Sequence, residues 1–334
     1  MQNFYKHDYI DDLHIEPTAR CNAACPMCLR NNHGDMPNER LIEQDLDLKL
    51  LDNIDMDIKR LTLAGNYGDP LMHPTLIDIV KWYLSKFDGR IHIQSNGGAR
   101  TTDWWQDLAK AGGDRLLVTF GIDGLENTNH LYRRKVRWDK LMENTKAFID
   151  AGGNASWKML VFKHNEHQIE DARKLAFSMG FNRFQRVITN RFPEDKKFPV
   201  INAKNETLYH LEEATIDNNY TAKNPSRLAV DYTEETAPKI SCYAVRDTSA
   251  YLAADGRVYP CCNTGYHYNN NMYRLQARHE KYNLKNYKLS EIVNGDLFCE
   301  IRDRWSTNRP VSICKRVCSL ARDNLMKEEF KQDA

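Results

Sequence analysis

The sequence predicts an α/β fold: an open, partial (β/α)6 barrel followed by a small C-terminal domain rich in cysteine. Two observations support this. Over residues 1–190, short β-like runs alternate with amphipathic helical stretches about every 30 residues, which is typical of right-handed βαβ units around a parallel sheet. Six of the nine cysteines then fall in the last third of the 334-residue chain. Six strand–helix units are too few for a closed eight-stranded barrel, so we expect an open one.

Each barrel element is predicted from its own residue pattern. Runs rich in aliphatic and aromatic residues predict strands at Leu13–Ile15, Arg60–Leu63, Arg90–Gln94, Arg115–Phe120, Trp157–Phe162 and Arg183–Ile188. Apolar residues at helical spacing predict helices near Gln44–Ile54, Pro74–Phe87, Thr102–Ala111, Trp138–Ala151 and Glu166–Met179.

Capping residues mark several of these helix ends. Glycine is typical of the position just after a helix, and the chain has Gly112-Gly113, Gly152-Gly153 and Gly180 at such positions. We expect Thr101 or Thr102 to cap the start of the third helix and Asn165 to cap the start of the last one, because short polar side chains bind the free amides there.

The chain divides into three predicted regions. Residues 1–190 form the barrel, and residues 191–241 are a bridging region with four prolines among many polar residues. We expect one helix in the bridge, near Asn205–Ile216. Residues 242–334 hold the remaining cysteines and a C-terminal helix. We find no internal repeat or low-complexity tract.

Composition excludes some classes of protein. Lys and Arg number 47 and Asp and Glu 46, a net charge of +1, which argues against a nucleic-acid partner. No apolar run is long enough to span a membrane, and Met1–Asp8 lacks the apolar core of a secretory signal. We therefore expect a cytoplasmic location, where thiols stay reduced.

Three cysteines lie within eight residues just after the first predicted strand. Cys21, Cys25 and Cys28 form a C-x3-C-x2-C motif, and active sites of parallel barrels lie at the carboxyl ends of strands. Three thiolates can hold three irons of a cubane cluster and leave the fourth iron open. The alternative is a structural zinc site, which normally takes four protein ligands; His14 or His33 would supply the fourth.

This motif resembles the signature of the radical S-adenosylmethionine (SAM) superfamily. The resemblance implies a [4Fe–4S] cluster whose open iron binds SAM. It also implies reductive cleavage of SAM to a 5′-deoxyadenosyl radical, which abstracts a hydrogen atom from substrate. By the same resemblance, Met27 occupies the apolar position beside the adenine.

Three later stretches resemble SAM-contact motifs of the family, in the same order along the chain. Tyr67-Gly68-Asp69-Pro70 resembles the Gly-Gly-Glu-Pro motif that meets the SAM amino group, with Tyr67 replacing the first Gly and Asp69 replacing Glu. Taken without the resemblance, Gly-Asp-Pro is also common in turns.

The other two stretches follow the third and fourth predicted strands. Ser95 and Asn96 resemble the loop on the ribose side of SAM. Asp123-Gly124, continued by Tyr132-Arg133, resembles an Ile-Asp-Gly…Tyr-Arg pattern. The resemblance implies that the short polar side chains bind ribose hydroxyls and that Arg133 reaches the SAM carboxylate.

The C-terminal cysteines resemble a second family feature. Cys242, Gly256 and Cys261 read C-x13-G-x4-C, which is similar to the opening of the twitch or SPASM extension. The resemblance implies a hairpin turning at Gly256. It also implies that Cys242, Cys261, Cys314 and Cys318 hold one auxiliary [4Fe–4S] cluster. A zinc ribbon is the alternative.

Two cysteines remain without an assigned role. Cys262 adjoins Cys261, so either of the two is a candidate ligand. Cys299 follows Leu297 and Phe298 and suits a buried apolar position, with a hydrogen-donor role as the alternative. Because these two thiols cannot close a second cubane by themselves, we expect a single auxiliary cluster.

The resemblance implies an enzyme, and the leading hypothesis is a peptide or protein maturase. One alternative is a small-molecule dehydrogenase or isomerase acting on a sugar, alcohol or nucleoside; another is a non-enzymatic zinc-binding module. Because Cys21 comes early, we expect no peptide-capture domain before the barrel. The expected electron donor is a flavodoxin or ferredoxin, facing the basic side chains of Arg302, Arg304, Lys315 and Arg316.

Overall fold

The computed structural model describes residues 4–5, 8–189, 191–216, 240–265, 282–306, 311–318 and 327–331. Its strands are β1 (Tyr9–Ile10), β2 (Asp12–Ile15), β3 (Asn31–Asn32), β4 (Met36–Pro37), β5 (Asp57–Ile58), β6 (Arg60–Leu63), β7 (Arg90–Ser95), β8 (Leu116–Gly121), β9 (Asn154–Val161), β10 (Arg183–Ile188), β11 (Lys197–Ile201), β12 (Thr207–Glu212), β13 (Ser249–Leu252), β14 (Val258–Tyr259) and β15 (Lys327–Lys331).

The helices alternate with the barrel strands and then continue into the C-terminal region. They are α1 (Leu76–Lys86), α2 (Thr102–Gly112), α3 (Glu126–Tyr132), α4 (Trp138–Asp150), α5 (Ile169–Ser178), α6 (Tyr243–Arg246), α7 (Leu289–Val293), α8 (Asp296–Asp303) and α9 (Ser312–Cys318). Short 3-10 helices span Leu48–Asn53, Pro70–Met72, Gly113–Arg115, Glu166–Gln168 and Arg304–Ser306. Among the described helices, none combines the length and the apolar character needed to cross a bilayer.

The main sheet has the strand order β14-β13-β2-β6-β7-β8-β9-β10-β15 within the described residues. The six strands from β2 to β10 are parallel and follow the chain order, which confirms the predicted α/β class with its mostly parallel sheet. Strand β13, from the C-terminal region, extends this sheet in parallel beside β2. Strands β14 and β15 are added antiparallel at the two edges.

The two faces of the sheet differ in chemistry. Phe120, Trp157 and Phe184 are paired in register on adjacent strands and are fully buried, with Trp105 of α2 packed on Phe120 at a ring distance of 5.2 Å. Side chains one position away along a strand point to the opposite face. The neighbours of Phe120 and Trp157 on that face include Thr119, Ser156 and Lys158, so the inner face of the barrel carries hydrogen-bonding groups.

The bridging region forms a hairpin beside the first cysteine motif. Strands β11 and β12 pair antiparallel, where the sequence predicted a helix at Asn205–Ile216. The prediction was wrong because Val200 and Leu211 bury one face of the hairpin, which requires alternating rather than helical periodicity. The hairpin contacts the cysteine loop through His33, whose ring stacks on Phe198 at 4.5 Å.

The predicted helix at Gln44–Ile54 forms only over its second half, and as a 3-10 helix. Only the 3-10 helix from residue 48 to 53 forms, started by Asp47, whose carboxylate accepts a hydrogen bond from the Lys49 amide at 3.0 Å. The preceding segment is held extended because Asp45 accepts a 2.6 Å hydrogen bond from the Thr18 hydroxyl. Tertiary contacts thus override local helix propensity here.

Capping follows the sequence fully at one helix and only in part at another. Thr101 caps α2, as predicted, by accepting from the Trp104 amide at 3.3 Å. Asn165 occupies the N-cap position of the 3-10 helix that leads into α5, as predicted, but the Asn165 side chain makes no capping hydrogen bond. Its amide nitrogen instead donates to the Asp123 carbonyl oxygen at 2.9 Å, tying two strand-end loops together. Helix α3 was not predicted.

Deleting Trp105 is expected to destabilise the barrel strongly. Its ring is fully buried against Phe120 and Phe148, so Trp105→Ala should lower the free energy of unfolding by about 3–5 kcal/mol. Trp104→Ala is the matched control, because Trp104 is only partly buried and should cost much less. Denaturant unfolding of both variants tests this, and equal losses would contradict the packing described.

Candidate functional site

The first cysteine motif lies in the loop that leaves strand β2. Cys25 is 7% exposed, while Cys21 and Cys28 are partly exposed. Backbone contacts hold the loop in place: the Ala24 amide donates to the Arg134 carbonyl at 3.0 Å, and the Cys28 amide donates to the Cys25 carbonyl at 3.1 Å. The motif therefore lies at the carboxyl end of the parallel sheet, as expected.

Burial makes these thiols poor acids. It raises the pKa of Cys25 to about 12, partly offset by Arg133. It also raises the pKa of Cys21, where the Asp69 carboxylate adds to the effect, and that of Cys28. A cysteine binds a metal only as the deprotonated thiolate. In this buried position a bound cation is needed to compensate the negative charge of the thiolates. This donor set fits a cluster held by three thiolates, with the remaining iron open to a non-protein ligand.

Polar groups from two other predicted motifs face the thiols. Arg133 Nη1 lies 3.8 Å from Cys25 Sγ, and Asn96 Nδ2 lies 3.8 Å from Cys21 Sγ. Arg133 is also paired with the fully buried Asp123, at 2.6 Å between Nε and Oδ2. This buried ion pair raises the pKa of Arg133 above its already high value, so the guanidinium stays charged beside the cysteines.

Asp69 connects the motif after β6 to the motif after β7. Its Oδ1 accepts from the Ser95 hydroxyl at 2.7 Å and from the Leu71 amide at 3.1 Å, and its Oδ2 accepts from the Asn96 amide at 2.8 Å. Because both carboxylate oxygens already have protein donors, the first role of Asp69 is to hold these loops together. Burial nonetheless raises its pKa.

Asp123 plays the corresponding part on the far side of the barrel. Its Oδ1 accepts from the Leu160 amide at 2.6 Å, and its own amide donates to Asn129 Oδ1 at 2.8 Å. The ends of β8 and β9 are thereby joined at the position where Arg133 reaches the cysteine loop. Gly121 leaves the space for this, because a Cβ there would lie 2.3 Å from Arg133 Nη2.

The other predicted SAM-contact residues lie close by. Met27 is buried at 7% exposure within the cysteine loop. Gly68 passes so close to the chain after β2 that a Cβ would lie 1.8 Å from the Thr18 carbonyl oxygen. The Tyr67 side chain packs against Ala19 and Ala254. The structure thus brings the loops of all four predicted motifs together at one end of the sheet.

One buried carboxylate at this end was missed from the sequence. Glu16 directly follows β2 and is 1% exposed. Its Oε1 accepts from the amides of Tyr67 (2.7 Å) and Gly68 (3.1 Å), and its Oε2 accepts from the Tyr251 hydroxyl at 2.7 Å. Burial raises its pKa, and these donors offset part of that shift. The sequence signal that could have identified Glu16 is an acidic residue directly after a predicted barrel strand.

The C-terminal cysteines form a second group. The predicted hairpin is confirmed: β13 and β14 pair antiparallel, with Gly256 at φ +86°. The Cys242 and Cys318 thiols are hydrogen-bonded to each other, which raises the pKa of Cys242. Burial raises the pKa of Cys261 and of Cys314; Cys318 adds to both shifts electrostatically, and Cys261 adds to that of Cys314. The four predicted ligands therefore lie near one another.

The remaining two cysteines have different surroundings. Cys262 Sγ lies 3.8 Å from the Tyr243 hydroxyl, and its backbone carbonyl accepts a 2.9 Å hydrogen bond from Asn66 Nδ2. Burial raises the pKa of Cys262 to about 12. Cys299 is buried in α8, where its thiol faces the Asn294 carbonyl oxygen at 3.9 Å.

A buried indole N–H beside the second group fits a cluster there. Burial raises the pKa of Cys314 to about 12, and the adjacent Trp305 offsets part of that rise, yet Trp305 Nε1 makes no hydrogen bond of good geometry. A sulfide-rich group next to Cys314 would accept from it. Within the described ranges, no three His, Cys, Asp or Glu side chains lie close enough to hold a single ion; a cubane instead takes one thiolate on each of several irons.

The basic residues expected to face an electron donor are largely paired. Arg302 Nη2 lies 2.9 Å from Asp303 Oδ1, and Arg304 Nε lies 3.9 Å from Glu300 Oε1. Local acids therefore offset these two charges. The Arg316 side chain lies outside the described residues.

Comparison with known proteins identifies both halves of the chain. Residues 15–176 match the family model of the radical SAM superfamily, and residues 242–319 match that of SPASM, an iron–sulfur cluster-binding domain. A tungsten-containing aldehyde ferredoxin oxidoreductase cofactor-modifying protein from Pyrococcus furiosus is 23% identical over 307 residues, which are 88% of this chain and 82% of that protein.

GTP 3',8-cyclases match over a shorter stretch. The protein from Mesorhizobium japonicum is 24% identical over 182 residues, covering 52% of this chain and 53% of the cyclase. A probable GTP 3',8-cyclase from Methanothermobacter marburgensis is 30% identical over 175 residues, covering 50% of this chain and 54% of that protein. The chain thus spans about half the length of these cyclases.

Solved structures share the fold across both regions. Streptococcus suis SuiB has a TM-score of 0.57 at 16% identity, covering 89% of this chain and 68% of SuiB. The chain of anSMEcpe with bound AdoMet, which is SAM, has a TM-score of 0.53 at 13% identity, covering 86% of this chain and 78% of anSMEcpe.

These matches indicate an enzyme, so the alternative of a non-enzymatic zinc-binding module is not retained. The cysteine donor sets and the family matches agree on the cofactors. The chain contains a radical SAM domain, which implies a [4Fe–4S] cluster that binds SAM, and a C-terminal SPASM domain, which implies an auxiliary iron–sulfur cluster.

Proposed function

We propose that this enzyme cleaves SAM reductively and abstracts a hydrogen atom from a peptide or protein substrate held at the mouth of the barrel. One observation carries the proposal: both cysteine groups adjoin the same loop. The segment from Gly65 to Asp69 contacts Cys262 through Asn66, and Asp69 lies close enough to Cys21 to raise the pKa of that thiol. A substrate at this loop is therefore near both groups.

Cys21, Cys25 and Cys28 would bind three irons of the SAM-site cluster. When bound, this cluster supplies the electron that cleaves SAM to methionine and a 5′-deoxyadenosyl radical, which takes a hydrogen atom from the substrate. Arg133 and Asn96 would donate N–H groups toward the cysteine sulfurs, since both lie 3.8 Å from a thiol.

The strand-end loops would orient SAM. We assign the SAM amino group to the backbone around Tyr67, Gly68 and Asp69, because the Asp69 carboxylate is already occupied by Ser95 and Asn96. Other contacts follow from the positions described above: Met27 for the adenine, Ser95, Asn96 and Asp123 for the ribose side, and Arg133 for the SAM carboxylate.

Cys242, Cys261, Cys314 and Cys318 would hold the auxiliary cluster. Their mutual electrostatic effects support this set. The predicted partition into a barrel (1–190), a bridge (191–241) and an auxiliary domain (242–334) stays a proposal, as does the cytoplasmic location.

A peptide substrate is supported by neighbours of the same fold. One structure is SuiB bound to precursor peptide SuiA, and another is anSMEcpe with bound AdoMet and a peptide. The inner face of the barrel also suits the hydrogen-bonding groups of a peptide. For example, His92 Nε2 lies 2.8 Å from Thr119 Oγ1, and Lys158 donates to Gln94 at 3.5 Å.

A second candidate is chemistry on a small nucleoside. The observation that favours it is the match of half the chain to GTP 3',8-cyclases. The same polar inner face would serve a nucleotide, whose base and phosphates also need hydrogen-bond donors. In either case we propose a flavodoxin or ferredoxin as electron donor.

The ligand assignment predicts which cysteines carry iron. Anaerobically reconstituted Cys25→Ala should retain the auxiliary cluster and lose about half of the iron and sulfide. Cys261→Ala should lose the other half, while the matched neighbour Cys262→Ala should keep both clusters. Iron and sulfide analysis with absorption spectra measures this. If Cys262→Ala lost a cluster and Cys261→Ala did not, the ligand would be Cys262.

The reaction predicts release of 5′-deoxyadenosine. Dithionite-reduced wild type and the buried-cysteine control Cys299→Ala should both release it from SAM, and Cys25→Ala should not, which chromatography of the products detects. Deuterated candidate peptides should pass label into 5′-deoxyadenosine. Label arriving from a deuterated nucleoside and never from peptides would favour the second candidate, and cleavage by Cys25→Ala would refute the assignment of the SAM-site cluster.

A further inference from the structure

Glu16 joins the barrel to the C-terminal domain at the loop proposed to bind SAM. One carboxylate oxygen accepts from the amides of Tyr67 and Gly68, and the other accepts from the Tyr251 hydroxyl of β13 at 2.7 Å. A buried carboxylate needs such donors, and removing one is costly. The backbone of the loop and the C-terminal hairpin are therefore bound to the two oxygens of a single side chain.

A second contact links the same loop to the auxiliary cysteines. Asn66, between Gly65 and Tyr67, donates to the Cys262 carbonyl at 2.9 Å. Cys262 is adjacent to Cys261, one of the proposed auxiliary ligands. The loop is thus connected to β13 through the Glu16 carboxylate and to the segment after β14 by a direct hydrogen bond.

The loop has no room to move independently of its surroundings. A Cβ at Gly65 would lie 2.1 Å from the Gly68 carbonyl oxygen and 2.8 Å from Glu16 Oε1. On the other side, the Asp69 amide donates to the Arg20 carbonyl at 2.8 Å, within the chain that leads to Cys21. Because close-packed segments shift together, a change at the hairpin is transmitted to this loop.

Tyr251 is held firmly enough to orient Glu16. It is fully buried, and its ring meets that of His14 edge-on at 4.9 Å. His14 and Tyr251 are also opposite each other in the parallel pairing of β2 with β13. The orientation of the Tyr251 hydroxyl is therefore set by the pairing of β2 with β13, which connects the barrel to the C-terminal domain.

We propose that Glu16 and Tyr251 are positioning residues through which the auxiliary-cluster domain sets the affinity of the Gly65–Asp69 loop for SAM. This inference rests on the proposed function, in which that loop meets the SAM amino group. Coupling between two sites is reciprocal. Binding of SAM must therefore also change the surroundings of the auxiliary cysteines.

The test uses the full-length, anaerobically reconstituted enzyme with radiolabelled SAM as the probe. Tyr251→Phe keeps the ring and removes only the hydroxyl, so we expect its dissociation constant for SAM to rise about tenfold, with iron content unchanged. Asn66→Ala should show a rise of similar size. Tyr259→Phe, on the partner strand of the same hairpin, is the matched control and should bind SAM as wild type does. Equilibrium dialysis measures all four proteins.

A spectroscopic readout separates positioning from a general loss of stability. In wild type, SAM should shift the midpoint potential of the auxiliary cluster, followed by electron paramagnetic resonance, and the shift should disappear in Tyr251→Phe. In a double-mutant cycle, adding Glu16→Gln to Tyr251→Phe should weaken SAM binding by less than the product of the single effects, because both remove one connection.

The outcomes distinguish this inference from the proposed function. If the wild type, with both clusters loaded, neither bound nor cleaved SAM, the proposed function would fail. If the wild type bound SAM, but Tyr251→Phe and Asn66→Ala bound it equally well and SAM left the auxiliary potential unchanged, only the coupling would be refuted. Additive effects of the Glu16 and Tyr251 substitutions would likewise contradict a shared connection.

Discussion

The architecture of the site depends on satisfying carboxylates that are buried at the ends of parallel strands. Glu16, Asp69 and Asp123 follow β2, β6 and β8, and all are less than 7% exposed. A carboxylate taken out of water must be paired or hydrogen-bonded, because its desolvation otherwise costs several kcal/mol. Each one therefore draws donors from neighbouring loops. The mouth of the barrel is a set of loops held together by these bonds.

The same need for hydrogen-bond and charge partners brings a positively charged side chain to the first cysteine motif. Asp123 holds Arg133, and Arg133 reaches Cys25. Burial alone keeps the thiols neutral, and in the proposed function the Arg133 guanidinium and the cluster would together stabilise their charged form. The contacts that would hold the cluster are therefore also the contacts that stabilise the loops around it. For this reason the residues of the site double as structural residues.

The C-terminal domain is attached at the same place. It extends the main sheet beside β2 through β13, and its Tyr251 completes the hydrogen bonding of Glu16. A domain placed elsewhere on the barrel would leave that carboxylate without its third donor. The same packing of the C-terminal region beside β2 therefore completes the hydrogen bonding of Glu16 and brings the C-terminal cysteines close to the proposed SAM loop.

The sequence alone determined the barrel strands, the hairpin at Gly256 and the two cysteine groups, because strand periodicity, turn glycines and thiol spacing are local signals. Only the tertiary structure decided that Asn205–Ile216 forms part of a hairpin, that Asn165 binds a distant carbonyl, and that Glu16 connects two regions. Those outcomes depend on which groups meet after folding. A hydrogen bond between residues 235 positions apart, such as that of Glu16 with Tyr251, leaves no pattern in neighbouring residues.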